Sequence, residues 1–524
     1  MQKFAAIRRF RWPLTGALLG ALVFVALYGV QVLNPASVDW ILNNPSPDPS
    51  QHYLGWAFFR QSPVHLPYIG ANYSNIYPYR TSVLFTDSIP LLALLFKCLS
   101  PILPARFQYF GWWGLACYAL QGGFAQAILA RLGGVRKEQT ARCWATVAGA
   151  GILVLFPALT VRMFAHTALA ANWLALLAVW LWLKSDALLP TTRRACLAWA
   201  GMGILCAGTH LYYLPMVGIV LVGYAVRRAL QKRGVAAVVL PVVCFCAAAG
   251  VELVALGAFA SNFAGYSNGY LNGADLVNLV VPGLQASWEQ DVYIGLGAVA
   301  ALVLAVVGLL VARLRGKVQF AAWCRRHGAW LAAGAVVLVL DAVAAMGNTV
   351  TLGGHTLGTV PIPQLLMDFW AMFSSCARLA WLAGLLLALL AGGVVLWVWN
   401  GRAAVVLLAA CAREELSNRF ARYHAAETYT DQTILTDPAW ETLASSGRFR
   451  HLAFASFDFE HDEFWDLAAF AADHGWTSNS FYMGHMDGNL AAVTLAGEMN
   501  TLSADTLYVF IDEDELARDS FGLH

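Results

Sequence analysis

The sequence predicts a polytopic α-helical membrane protein of about eleven transmembrane helices, with a small soluble α/β domain at its C-terminus. Three observations predict it. Of 524 residues, 59% are hydrophobic and only 12% charged, which excludes an ordinary soluble domain. Apolar runs of near-bilayer length recur along most of the chain. Charge is distributed unevenly although the whole chain carries a net +2: residues 1–411 hold 27 Lys/Arg against 11 Asp/Glu, and residues 412–524 hold 6 against 20. The chain therefore divides into a basic transmembrane domain, 1–411, and an acidic soluble domain, 412–524.

The first element, MQKFAAIRRFRWPLTGALLGALVFVALYGVQV, joins a basic flank to a long apolar run without a small-residue cleavage site, and reads as a retained first helix. Spans are expected near 12–33, 106–130, 141–160, 163–183, 195–212, 213–229, 235–260, 291–313, 328–346, 377–398 and 402–416, the last being short and ending in charge. Gly16 and Gly20 suit close helix packing. Arg8, Arg9 and Arg11 place the N-terminus in the cytoplasm, and the links 131–142, 184–194, 227–233 and 313–326 are all basic. They alternate correctly only if 83–103, which carries Lys97, Pro90, Pro101 and Pro104, is an interfacial or re-entrant helix. The first outer loop, 34–105, the loops near 261–290 and 347–376, and the C-terminal domain then share the non-cytoplasmic side.

In the C-terminal domain, RHLAFASF and TLYVFID read as strands, DEFWDLAAFAADHG and NLAAVTLAGEMN as helices, and SNSFYMGHM as a further strand. The acids of DEDELARD, 512–519, read as a solvated surface. His485 and Asp487 make a pair, not a metal motif.

The ten cysteines lie almost entirely in apolar segments with no CxxC pair, so neither a disulfide framework nor a cysteine metal site is expected. GxxxxGK[ST], HExxH and GxSxG are missing, as is a dinucleotide-type GxGxxG after a strand. No basic aromatic surface suggests nucleic acid.

The orientation gathers polar residues on the outer side. The first loop supplies Asp48, His52, Arg60, Arg80 and Asp87. LTVRMFAHTALAANW supplies Arg162, His166 and Asn172, and GTHLYYLP supplies His210, Tyr212 and Tyr213. The loop from 261 adds Asn272, Asp275, Trp288, Glu289 and Asp291, and SSCARLAW adds Arg378. Ionisable groups at membrane depth are costly and mark function. Carboxylates can remove protons and arginines can bind a phosphate. Structural readings stand beside these. Asp48 in SPDPS fits a helix N-cap, with Gln51 completing a capping box, and Asp87 before Pro90 fits a second cap. His166 and His210 fit hydrogen-bonded packing, Arg162 and Arg378 fit snorkelling to headgroups, and Glu289 fits an exposed loop.

The stretches DPSQHYLGWAFFR (48–60), FTDSIPLLALLFK (85–97), AHTALAANWLALLA (165–178), THLYYLPMV (209–217), WEQDVYIGLG (288–297), FSSCARLAW (373–381) and WTSNSFYMGHMD (476–487) together resemble the GT-C superfamily of integral-membrane glycosyltransferases, in particular a bacterial branch of it. The resemblance implies a GT-C-like fold and places the catalytic base on Asp48, with Asp87 and Glu289 as the other catalytic candidates. By their place on the outer side, His52, Arg162, His166, His210, Tyr212 and Arg378 are the expected substrate contacts. The resemblance also implies a polyprenyl-phosphate-linked sugar donor used on the outer, periplasmic face of the bacterial inner membrane; transfer to a cell-envelope glycan or lipid acceptor is expected to be inverting. The candidate cofactor is a divalent cation, Mg²⁺ or Mn²⁺, with no motif assigning its ligands. Asp48 lacks the adjacent acidic partner that several GT-C families show. That departure keeps open a non-catalytic GT-C-like assembly subunit, and a lipid or polysaccharide transporter or flippase is the rival from another class.

Overall fold

Each of the eleven predicted apolar stretches overlaps a helix in the computed structural model, which describes residues 2–44, 46–136, 138–265, 271–285, 287–316, 320–423, 433, 435–455, 462–498 and 502–511. Among the described residues, five helices are long and apolar enough to cross a membrane: Tyr213–Leu230, Val235–Ala255, Leu296–Leu314, Ala321–Met346 and Cys376–Val398. Val235–Ala255 and Ala321–Met346 leave most of their surface uncovered, with Val243, Val251, Val339 and Val343 half or more exposed. Apolar faces of that extent suit lipid. The DEDELARD run lies outside the described residues.

Gly16 and Gly20 do pack closely. A Cβ at Gly20 would fall 2.0 Å from the Tyr118 carbonyl, and one at Gly122 would fall 2.1 Å from the Gly16 carbonyl. Helices Gln2–Tyr28 and Phe110–Leu132 therefore meet backbone to backbone, and the Gly16 N–H reaches Gln126 Oε1 at 2.7 Å.

Two expected spans are shorter than the sequence suggests. The stretch 141–160 breaks after Val154 into a short helix, Pro157–Arg162, and the stretch 163–183 becomes regular helix only at Trp173. Pro157 cannot continue the preceding hydrogen-bond ladder. Between them Phe164 takes φ 62°, and the polar residues Arg162, His166 and Asn172 sit in the turn.

The segment expected to be interfacial is a ten-residue helix, Pro90–Leu99, ending in a 3-10 turn, Ser100–Ile102. Its rise of about 15 Å is half a bilayer core, and Leu95, Leu99 and Ile102 are exposed. It is bound reciprocally to the helix Pro47–Gln61. Lys97 Nζ donates to the Phe59 and Ser62 carbonyls at 2.6 and 2.7 Å, at the C-terminal end of that helix. In return Arg60 donates to the carbonyls of Ser100, Leu103, Pro104 and Ala105. Each cation thus satisfies the orphan carbonyls that end the other helix. Arg60 is thereby a brace and is not among the converging side chains.

The C-terminal domain contains a three-stranded parallel sheet with His451–Phe454 central between Thr477–Ser478 and Thr506–Val509. Asp462–Asp473 and Gly488–Glu498 are the predicted helices, and Phe454, Phe464, Trp465 and Phe481 pack together. Of the expected strand SNSFYMGHM only its first residue, Ser478, is in a strand, Thr477–Ser478. Beyond Ser478 the chain leaves the sheet and runs along the first loop instead. Ser478 N–H donates to Ser74 O, Tyr77 N–H to Ser478 O, and Gly484 N–H to Phe85 O. The loop's backbone groups replace a neighbouring strand as partners. The helix Gly401–Tyr423 runs continuously through the predicted 411/412 boundary.

Replacing Lys97 by Met strands the Phe59 and Ser62 carbonyls, at a cost of about 1–3 kcal/mol each, whereas replacing Arg60 by Met costs less because water can reach the Pro104 and Ala105 carbonyls. Thermal unfolding in detergent should show both variants destabilised, and limited proteolysis should cut first within 62–110. Unchanged melting in both would remove the reciprocal bracing.

Candidate functional site

The connections that follow helices Gln2–Tyr28, Thr140–Val154, Thr192–Ala207, Val235–Ala255 and Phe320–Met346 converge at one end of the helical body, where the C-terminal domain also docks. The convergence is direct: His210 bonds Asp87, and Arg162 and Arg378 both bond Glu289.

Asp48 is the second residue of the helix Pro47–Gln61, behind Pro47 at its start. His52 lies four residues on and Gln51 three, so all three share a face. The cap reading is not realised: Ser46 holds the N-cap position without a side-chain bond, and Gln51 turns away to donate to the Tyr482 carbonyl at 3.1 Å. A Cβ at position 55 would meet Thr86 at 2.4 Å, so Gly55 lets this helix lie flat on the turn that leads into Asp87.

That turn is strained. Asp87 has φ 50° and Ile89 φ 52°, the latter an unusual conformation for a β-branched residue. Such residues cost about 1–3 kcal/mol each and persist only where surroundings over-determine them. Here Ser88 Oγ donates to His52 O at 2.8 Å, Tyr109 Oη donates to Ser88 O, and Leu91 N–H donates to Gly208 O. Asp87 does not cap the helix Pro90–Leu99, whose N-cap position is held by Ile89. Its Oδ1 lies 3.2 Å from His210 Nε2, and its Oδ2 lies 3.7 Å from His52 Nε2. His210 Nδ1 accepts the Tyr212 N–H, so the ring's proton sits on Nε2 and points at Asp87.

Glu289 lies in the short turn Trp288–Gln290 between two guanidiniums. Arg162 Nη1 reaches Oε1 at 3.2 Å, and Arg378 binds Oε2 through Nε at 2.8 Å and through Nη2. The Arg162 guanidinium also stacks 3.8 Å from the Trp288 ring centroid and donates to its carbonyl. Arg378 packs over Tyr212, whose hydroxyl accepts the Ser375 N–H. Both arginines are buried, so neither is a lipid-facing snorkel. Trp288 stays half exposed.

The third carboxylate is different. Asp48 Oδ2 has His166 Nδ1 at 3.7 Å, beyond hydrogen-bond reach, and accepts no hydrogen bond among the described residues. All three carboxylates keep about a fifth of their side-chain surface open to water, at 19% for Asp48, 21% for Asp87 and 18% for Glu289.

Electrostatics separates them. Burial, with Asp87 and Glu289 nearby, raises the Asp48 carboxyl to about 6, against the smaller pull of Arg378 and Arg162. Burial alone would raise Asp87 too, but the His210 ring outweighs it and holds Asp87 well below the usual carboxylate range. Burial likewise opposes Glu289, and Arg378 and Arg162 bring it below its ordinary value. Burial lowers His52 to about 4 and His166 to about 3, keeping both rings neutral. Arg162 is lowered to about 10 by burial and by Arg378, so it stays charged.

Two residues that sequence reasoning did not place here come from the C-terminal domain. Tyr482 is exposed beside the acids, and burial of its hydroxyl, with Asp48, Asp87 and Glu289, raises its ionisation. His485, at φ 58°, faces Phe85 and feels both His210 and Asp87. The signal was the run SNSFYMGHM, too rich in small polar residues for a buried strand. Of the other predicted outer residues, Arg80 donates to Ala260 O, Asp275 caps Val277 and accepts Gly354 N–H, and Asn172 accepts from Tyr213.

No group of three or more His, Cys, Asp or Glu side chains among the described residues is arranged to hold a metal ion. The donors that a divalent cation would need are engaged: Glu289 by two guanidiniums and Asp87 by His210.

A carboxyl whose folded pKa is raised is stabilising when protonated. That stability is complete below its unfolded value of 3.8 and is lost as pH rises through about 6. Asp48→Asn removes the loss. Above about pH 7 the variant should melt higher than wild type, its stability exceeding wild type by an amount approaching 3 kcal/mol, and in acid the two should melt alike. Equal melting across the range would mean that Asp48 titrates like an exposed carboxylate.

No curated protein and no solved structure matches the chain. Residues 17–413 match the family described as Domain of unknown function (DUF6311), and residues 439–523 match the DUF6311 C-terminal domain. The two matched segments correspond to the helical body and the docked α/β domain, and the chain belongs to the DUF6311 family.

Proposed function

We propose that the protein is a GT-C-like inverting glycosyltransferase that uses a polyprenyl-phosphate-linked sugar and an envelope glycan or lipid acceptor. It crosses the bacterial inner membrane eleven times, with the acidic domain in the periplasm. The observation that carries the reading is the unequal commitment of three neighbouring carboxylates. Asp87 and Glu289 are ionised and bound by His210 and by the two arginines, whereas Asp48 accepts no hydrogen bond and ionises near pH 6. A general base works best with a pKa near the working pH and free lone pairs.

In this mechanism the acceptor hydroxyl loses its proton to Asp48 while its oxygen bonds to the anomeric carbon. The bond from that carbon to the phosphate oxygen breaks, and polyprenyl phosphate leaves with the electron pair. Arg378 Nη1, which Glu289 does not engage, is the donor nearest to hand for the developing phosphate charge. Glu289 holds the two guanidiniums in place, and Asp87 orients His210 and His52. The proposal routes no step through a metal ion.

The test is transfer from polyprenyl-phosphate hexoses to envelope acceptors by purified protein in nanodiscs. Activity should rise with pH through about 6, and Asp48→Asn should lose on the order of 10²–10⁴ in rate. A folded Asp48→Asn variant with full activity would end the base assignment. Lipid translocation without any glycosyl product would favour the flippase reading instead.

A further inference from the structure

The site-end connection between the spans Ala321–Met346 and Cys376–Val398 contains a β-hairpin, Thr349–Leu352 with His355–Thr359, and then a helix, Gln364–Ala371. The helix divides into three faces. Met367, Trp370 and Ala371 turn toward the protein and are wholly or partly covered. Leu365, Leu366 and Phe369 form an apolar face that is 81%, 56% and 64% exposed. Gln364 and Asp368 make the third face and bond each other at 2.7 Å. At 100° per residue the polar face lies about 125° from the apolar one.

The helix is attached where a span ends. The Trp370 indole N–H donates to the Ala344 carbonyl at 3.1 Å, beside Val343, which is 50% exposed. The apolar face of the helix therefore continues the uncovered apolar surface of Ala321–Met346. An aromatic N–H at such a junction suits the boundary between hydrocarbon and headgroups. A soluble partner would not account for this continuity.

We infer that Gln364–Ala371 lies in the plane of the bilayer as an interfacial anchor, with Leu365, Leu366 and Phe369 in the acyl region and Gln364 and Asp368 in water. What it anchors is the Arg378 turn. Phe373 packs edge-on against Tyr212 at 5.5 Å, and Ser375 N–H bonds the Tyr212 hydroxyl under Arg378. Bilayer contact thus sets the depth of the arginine that pairs with Glu289. The inference requires only that the apolar helices span a membrane, and it stands whatever reaction the site performs.

The test is photo-crosslinking of full-length protein in phosphatidylethanolamine/phosphatidylglycerol proteoliposomes, with p-benzoylphenylalanine placed singly at Leu366, Phe369, Asp368, Val243 or Val493. Val243 lies on an uncovered span and Val493 on the C-terminal domain, and both are exposed. Phospholipid adducts at Leu366 and Phe369 comparable with Val243, and few at Asp368 and Val493, are expected. Adducts to a second copy, or lipid labelling at Leu366 and Phe369 no higher than at Val493, would overturn the anchor.

Discussion

The site depends on the ion cluster in which Glu289 holds Arg162 and Arg378. Two guanidiniums are buried at the end of a largely apolar helical body, and their desolvation is offset only by a partner of opposite charge in good geometry. That requirement brings together three distant connections: the turn after Pro157–Arg162, the turn Trp288–Gln290 and the segment ahead of Ala380. The stacking of Arg162 on Trp288 and of Arg378 on Tyr212 orients both cations. With both arginines bound to Glu289 and Asp87 bound to His210, Asp48 is left without a hydrogen-bonded partner among the described residues. Its raised ionisation follows first from burial and then from the neighbouring acids Asp87 and Glu289.

Around the cluster, the first outer loop behaves as a rigid support. Its two helices end on each other's cations, its turn carries Asp87 in a left-handed conformation, and the 479–487 segment of the C-terminal domain lies against it. Strain at Asp87, Ile89, Phe164 and His485 is gathered near one site and is stabilised by hydrogen bonds from neighbouring elements. The C-terminal domain supplies Tyr482 and His485 beside the acids, and so forms part of the candidate site.

Much of this was legible in the sequence, for identifiable reasons. Apolar runs and basic links mark helices and their connections, because hydrocarbon-length burial leaves a composition signal that local structure does not erase. Asp48, His52, Asp87, Arg162, His166, His210, Tyr212, Glu289 and Arg378 were nominated because polar residues beside spans are costly. Their pairings were not legible. Nothing in local sequence says that Glu289 takes both arginines, that Arg60 turns to carbonyls forty residues on, or that Asp48 caps nothing. These depend on tertiary approach, as through Gly55 against Thr86. The segment SNSFYMGHM misled because strand propensity is decided by available partners, and the first loop was the better partner.

The central claim is that Asp48 alone among the three acids changes protonation near neutrality. Carboxyl infrared difference spectroscopy on wild type and Asp48→Asn, titrated in nanodiscs, tests it directly. The account predicts a protonated-carboxyl band that disappears as pH rises through about 6 and is missing from the variant. A band titrating near 6 that Asp48→Asn leaves unchanged, or an Asp48 signal already ionised near its ordinary 3.8, would contradict it.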